Sequence, residues 1–218
     1  MLKAYRPQLK LETNLPQAEE PDLYVPTSEE VKAVLEAASE RLRVPVLLAS
    51  SGSLRREEIC ALTPEDITDF GVRVNKAVVY DYDKNLVVKL PKSQAGDRFC
   101  PLPPEIIQEV RVWSDFGISP NALNGVWQKL KYKLGLEFRF HDFRHYFASE
   151  LHAQGVPDQY IMKVGGWKSA ATLQRIYRHT LRDKEKIYNV EIVNIFTAEL
   201  IASKKRQKRS KKVIYLTS

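Results

Sequence analysis

HDFRHYFASEL (residues 141–151) and, downstream, QRIYRH (174–179) decide how this 218-residue chain is read. His141 and Arg144 lie one helical turn apart, so a helix through this stretch turns both toward one side. Phe143, Phe147 and Leu151, at i, i+4 and i+8, form an apolar stripe on another side and tie the helix to a core. A polar pair is thereby mounted on a rigid element, and QRIYRH adds Tyr177 among Arg175, Arg178 and His179. The combination points to phosphate binding beside a tyrosine nucleophile.

Working outward, Arg55 stands in SGSLRREEICAL, Lys92 in LPKSQAGDRFCPLP and Trp167 in VGGWKSAATLQRIYRH. In the order Arg55, Lys92, His141-x-x-Arg144, Trp167, Tyr177 the chain resembles the catalytic domain of the tyrosine recombinases, the phage-type integrases, from about Pro26 to about His179. The resemblance implies an α+β fold, mainly helical with a small antiparallel three-stranded sheet. It also implies that Tyr177 attacks a DNA phosphate to form a 3′-phosphotyrosyl bond, that Arg55 and Arg144 hold the non-bridging oxygens, that His141 assists proton transfer and that Lys92 protonates the 5′ leaving oxygen. Lys89 is the fallback for Lys92. Trp167 departs from the commoner histidine at its place and supplies an indole donor and a packing surface.

The residue types suit the chemistry. A guanidinium donates two parallel bonds to a phosphate, which an ammonium does not. A tyrosine with an ordinary pKa near 10 is phenolate in only about one molecule in a thousand at neutral pH, so Tyr177 needs a cationic site or a base. Taken alone, Arg55 reads as a surface partner of Glu58 at i,i+3, Arg56 as a solvated charge, and His141 as a capping or core histidine. His141 and His145 also have the i,i+4 spacing of zinc-binding helices, but the glutamate of a HExxH motif is missing and no cysteine or carboxylate cluster supplies a third ligand, so no metal and no cofactor is expected.

Composition bounds the rest. A hydrophobic content of 44% supports a proper core, and neither a signal peptide nor an 18-residue apolar run appears, which predicts a cytoplasmic protein, to which the resemblance adds association with the nucleoid. Cys60 and Cys100 read as free buried thiols, and Trp113 and Trp127 as core. The net charge of +7 belongs to the C-terminus, where Lys204, Lys205, Arg206, Lys208, Arg209, Lys211 and Lys212 occur with no acidic residue after Ser203. Without them the body is neutral, so a DNA-binding face on it must arise from local arrangement.

The expected organisation is a linker or arm over residues 1–26, a catalytic domain over 27–202 and a basic tail over 203–218. Thr27 and Glu30 form a capping box for the first helix. VRVNKAVVYD, NLVVKLP and RFCPL read as the strands, with turns at Asp83-Lys84-Asn85 and Ala95-Gly96-Asp97. Helices follow over PEIIQEVRVW, NALNGVWQKLKYKL up to Gly135, DFRHYFASELHAQ up to Gly155, DQYIMKV, AATLQRIYRHT and LRDKEKIYNVEIVNIFTAELIASKK.

The implied partner is double-stranded DNA, with a homo-tetramer in the synapse and a monomer compatible with the free state. For the tail, Lys204, Lys205, Arg206, Lys208 and Arg209 lying on DNA phosphates and a solvated tail both fit the composition, and VIYLTS suits strand addition to a neighbouring sheet edge. Residues 1–26 are too short for the N-terminal core-binding domain that family members usually carry, so an isolated catalytic domain with weak DNA binding is expected. Two other functions fit: a catalytically silent DNA-binding relative, and a type IB topoisomerase-like relaxing enzyme.

Overall fold

The computed structural model of the chain describes residues 23–90 and 97–176. Thr27 caps the first helix, α1 (Ser28–Ala37), with the reciprocal bonds expected: the Glu30 amide donates to Thr27 Oγ1 at 3.2 Å and the Thr27 amide to Glu30 Oε2 at 2.8 Å. The second helix, α2 (Glu40–Gly52), starts ahead of Pro45 and is the central element. Leu42, Val46, Leu48 and Ala49 are fully buried, and helices on every side pack against it. Ser53, left-handed at φ 56°, ends α2 and turns the chain into the single-turn α3 (Arg56–Ile59), with Arg55 at its N-cap.

Four strands follow: β1 (Gly71–Val74), β2 (Ala77–Tyr80), β3 (Leu86–Lys89) and β4 (Arg98–Pro101). They form two antiparallel pairs, β1 with β4 and β2 with β3, rather than one three-stranded sheet. The stretch VRVNKAVVYD divides at Asn75-Lys76, where Lys76 leaves the sheet line to bind Asp66 at 2.8 Å and the Thr63 hydroxyl at 3.1 Å. The β2–β3 hairpin therefore closes on itself around Lys84 (φ 63°), while β4 returns to β1. Gly71 permits that return, because a side chain there would run into the backbone of Cys100 and Pro101. The second expected turn includes Ala95 and Gly96, which lie outside the described residues.

The remaining helices are α4 (Pro104–Arg111), α5 (Pro120–Leu134), α6 (Phe143–Ala153) and α7 (Asp158–Gly165), with a helical run over 170–176 after them. Gly135 caps α5 in the left-handed region at φ 64°. Trp127 of α5 meets Phe138, Phe140 and Phe143 with ring centroids 5.3–6.0 Å apart, and this aromatic cluster anchors the segment leading into α6. Leu23 to Pro26 lie along the body rather than apart from it. Tyr24 stacks on Phe138 at 5.7 Å, and Leu23 and Val25 pack against the buried cluster of Ala148, Ile161, Leu173 and Ile176. Cys60, Cys100, Trp113 and Trp127 are buried, with both thiols free. Among the described residues no helix is long and apolar enough to cross a membrane.

Candidate active site

The site forms where the start of α3, the start of α6 and the end of α7 converge. His141 sits in a 3-10 turn (Phe140–Asp142) that runs directly into α6. Phe140 and Phe143 on either side are held in the aromatic cluster, and Asp142, almost wholly buried, accepts from the Arg139 amide at 2.7 Å. These anchors leave His141 little freedom except to project outward. Its outer edge meets solvent, while partial burial first, and then the charges of Arg144 and His145, push its pKa down from the ordinary 6.5 to about 4. His141 is therefore neutral at pH 7, with one ring nitrogen able to donate and the other to accept.

Arg144 occupies the first turn of α6 with only 1% of its surface exposed. Nη2 donates to the Gly165 carbonyl at 2.8 Å, and among the described residues Nε and Nη1 have no hydrogen-bond partner. Trp167 lies over the guanidinium, its ring centroid 4.7 Å from Cζ, and stacks on Phe147 at 6.5 Å. Burial, and after it the charge of Arg55, hold the Arg144 pKa well below the usual guanidinium value. A buried cation with unmatched donors is costly to fold, and an anion in front of it removes that cost.

Arg55 approaches from the other side. Nη1 donates to Glu58 Oε1 at 2.7 Å and Nη2 to the Gly166 carbonyl at 3.1 Å, with 37% of the side chain exposed. The expected i,i+3 pair with Glu58 thus exists, and it fixes the arginine beside Arg144. Adjacent carbonyls, those of Gly165 and Gly166, set the spacing of the two guanidinium groups. Trp167 follows them in sequence and crowds Gly165 so closely that only glycine fits there.

Two residues that the sequence reading passed over complete this arrangement. Glu58, taken as an ordinary helix partner, is buried and binds both Arg55 and Arg98. Arg98, taken as a strand residue, is equally buried. Burial raises the Glu58 pKa, but hydrogen bonds and charge from Arg98, with Arg55 adding to them, outweigh it and bring the value to about 2. No local signal marks the Glu58–Arg98 pair, because its members lie 40 positions apart on different elements.

Arg56 also differs from its expected solvated state. It pairs with Glu57 at 2.8 Å and, with Asn124, Gln128, Arg139 and His141, lines a groove of about 350 Å³ beside the site. Lys89 is exposed in β3 opposite Ala77. Lys92, Tyr177 and the basic residues Lys204, Lys205, Arg206, Lys208 and Arg209 lie outside the described residues, so the structure brings together four of the six expected catalytic residues: Arg55, His141, Arg144 and Trp167. The His141 and His145 rings stand edge to face at 5.6 Å, and among the described residues no group of three His, Cys, Asp or Glu side chains is placed to hold a metal ion.

Residues 25–184 match the model of the Phage integrase family. The chain is 28% identical over 181 residues to the tyrosine recombinase XerA of Thermococcus kodakarensis, an alignment covering 73% of this chain and 60% of that protein. It is 24% identical over 209 residues to a XerC-like tyrosine recombinase of Caldanaerobacter subterraneus, covering 77% and 53% respectively. It thus spans less than two thirds of the length of these curated relatives. Among solved structures, the Tn1549 transposon integrase in complex with a circular intermediate DNA superposes with a TM-score of 0.64 at 16% identity, over 78% of this chain and 65% of that one. The XerA recombinase crystal structure gives 0.57 at 18% identity, over 75% and 66%. These likenesses are of fold.

Proposed function

The chain belongs to the phage integrase family, and from that premise we propose that it is the catalytic domain of a site-specific DNA recombinase that cleaves and rejoins duplex DNA through a covalent phosphotyrosine. The observation that carries this reading is the buried Arg144, with two nitrogens unpartnered among the described residues, beside the partly exposed Arg55. Two cations held by neighbouring carbonyls form a ready site for the non-bridging oxygens of one phosphodiester, and they stabilise the extra negative charge of a five-coordinate phosphorus.

In the proposed reaction the Tyr177 oxygen attacks phosphorus, the bond to the 5′ oxygen breaks, and the 3′ phosphate remains joined to tyrosine. The phenolic proton leaves toward neutral His141 as the P–O bond forms, and Lys92 delivers a proton to the departing 5′ oxygen. Trp167 holds Arg144 in place. One phosphodiester is exchanged for another, so religation by the 5′ hydroxyl needs no nucleotide cofactor.

Duplex DNA is the proposed partner, with two pairs of protomers exchanging strands in the synapse. Arg56, Arg139, Asn124 and Gln128 beside His141 give the groove donors suited to DNA, and the tail residues Lys204, Lys205, Arg206, Lys208 and Arg209 are proposed to lie on phosphates. A nicked suicide duplex that loses its 5′ hydroxyl fragment after cleavage tests the reading. An SDS-stable adduct that disappears in Tyr177→Phe supports it. A chain that binds DNA without forming the adduct is a silent relative, and relaxation of a plasmid lacking any specific site identifies a topoisomerase-like enzyme.

A further inference from the structure

We infer that Arg98 is a positioning residue for phosphodiester cleavage: by occupying both oxygens of Glu58, it keeps Arg55 only half engaged and so available to DNA phosphate. This rests on the function proposed above. Arg98 is the saturated member of a group of three arginines. Its Nε donates to the Val164 carbonyl at 2.9 Å, Nη1 to Glu58 Oε1 at 3.0 Å, and Nη2 to Glu58 Oε2 at 2.7 Å and to the Ser53 carbonyl at 3.4 Å. Only 3% of its side chain reaches solvent. Arg98 therefore has little left to offer a ligand, unlike Arg144, two of whose nitrogens are unpartnered among the described residues, and Arg55 at the surface.

The acceptors of Glu58 explain the consequence. A carboxylate offers about four acceptor positions. Two are taken by Arg98, one by the Arg55 amide at 2.7 Å and one by Arg55 Nη1 at 2.7 Å. With its fork occupied, Glu58 steers Arg55 through a single side-chain bond and cannot clamp the guanidinium in a parallel pair. Without Arg98 the same carboxylate would be free to take Arg55 in that pair, the strong geometry for these two groups, and draw it away from the phosphate site. The charges point the same way: Glu58 answers one of three guanidinium groups, so the cluster keeps an excess of positive charge for an incoming anion.

The connectivity makes Arg98 a pin across the site. It stands on β4 and binds the residue ending α2, the carboxylate of α3 and the end of α7, and the next two carbonyls after Val164 are those that hold Arg144 and Arg55. It also lies six positions after Lys92, the proposed acid for the 5′ oxygen.

The experiment measures adduct formation on the nicked duplex by the full chain and by Arg98→Met, Arg55→Met and their double variant, with urea titrations to establish that each is folded. Arg98→Met is expected to slow cleavage on the order of 10²-fold, the scale of losing one charge-stabilising donor. The double variant is expected to be within about threefold of Arg55→Met, because both act through one guanidinium. A methylphosphonate at the cleaved position, which removes one charged oxygen, should cost Arg98→Met at least tenfold less than it costs the unaltered chain. Adding Glu58→Gln to Arg98→Met should restore part of the rate, since a neutral amide has no charge with which to hold Arg55.

Arg98→Lys covers the case in which Arg98→Met does not fold: one ammonium cannot fill four acceptors, and an intermediate loss with the same reduced methylphosphonate penalty is expected. Multiplying losses in the double variant, an unchanged methylphosphonate penalty, or rates within threefold of the unaltered chain would overturn the inference. An unaltered chain that forms no adduct overturns the proposed function instead.

Discussion

Replacing Gly165 with alanine probes the packing that holds Arg144. The new methyl group would fall inside the Trp167 ring, with Cη2 only 2.8 Å away and Cζ3 and Cε3 closer still. Ordinary carbon contacts lie at about 3.5–4.0 Å, so the indole must retreat by roughly 1.5 Å or more. Its retreat is limited by its neighbours, because Arg144 lies against its ring at 4.7 Å and Phe147 stacks on it at 6.5 Å. Overpacking of this kind costs about 1–3 kcal/mol, and a desolvated cation–π contact is worth about 2 kcal/mol. Gly165→Ala is therefore expected to lose about 2–3 kcal/mol in a urea titration followed by circular dichroism. In a Trp167→Ala background the clash is gone, and the same change should be neutral or stabilising by up to about 1 kcal/mol, the helical advantage of alanine over glycine. Equal costs in the two backgrounds would place the penalty in the backbone and not in the indole, the opposite of this expectation.

Other consequences follow from the charges. Glu58 in the folded chain titrates near 2 against an ordinary 4.5, so the unfolded chain takes up its proton first as pH falls. Its stabilisation is complete above about pH 4.5 and is lost toward pH 2, a swing of about 3 kcal/mol that urea titrations across this range should show flattened in Glu58→Gln. His141, depressed from 6.5 to about 4, has the same sign: its neutral folded state contributes fully above pH 6.5 and progressively less toward pH 4, a slope that His141→Gln should remove. Arg144→Met, which swaps an under-bonded buried cation for an apolar chain of similar length, is expected to abolish the covalent adduct while leaving stability unchanged or raised by up to about 2 kcal/mol. A loss of more than 2 kcal/mol would mean that the Gly165 bond and the Trp167 contact outweigh the desolvation.

Features written in short-range pattern were legible in the sequence. Thr27 and Glu30 marked the first helix start, Gly135 the end of α5, and the spacing of Phe143 and Phe147 the packed side of α6, while His141 falls in the 3-10 turn ahead of that helix. The order of the arginine, histidine and tryptophan motifs gave the family. What escaped was set by contacts between distant segments. Lys76 divides a continuous β-rich stretch because Asp66 and Thr63 wait beside it, and Arg98 becomes part of the site only when Glu58 and Val164 arrive from other elements. His141 needed its surroundings as well: the histidine residue type allows either protonation state near pH 7, and burial first, then the charges of Arg144 and His145, favour the neutral one.

Arg55, His141 and Arg144 are proposed to form a phosphodiester site served by Tyr177. The most direct test is to incubate the chain at saturating concentration with a nicked duplex, digest the SDS-stable product and locate the nucleotide-bearing peptide by mass spectrometry. The expected product is a 3′-phosphate joined to Tyr177, lost in Tyr177→Phe and strongly reduced in Arg144→Met. An adduct on any other residue, or DNA cleaved with no covalent product, would contradict it.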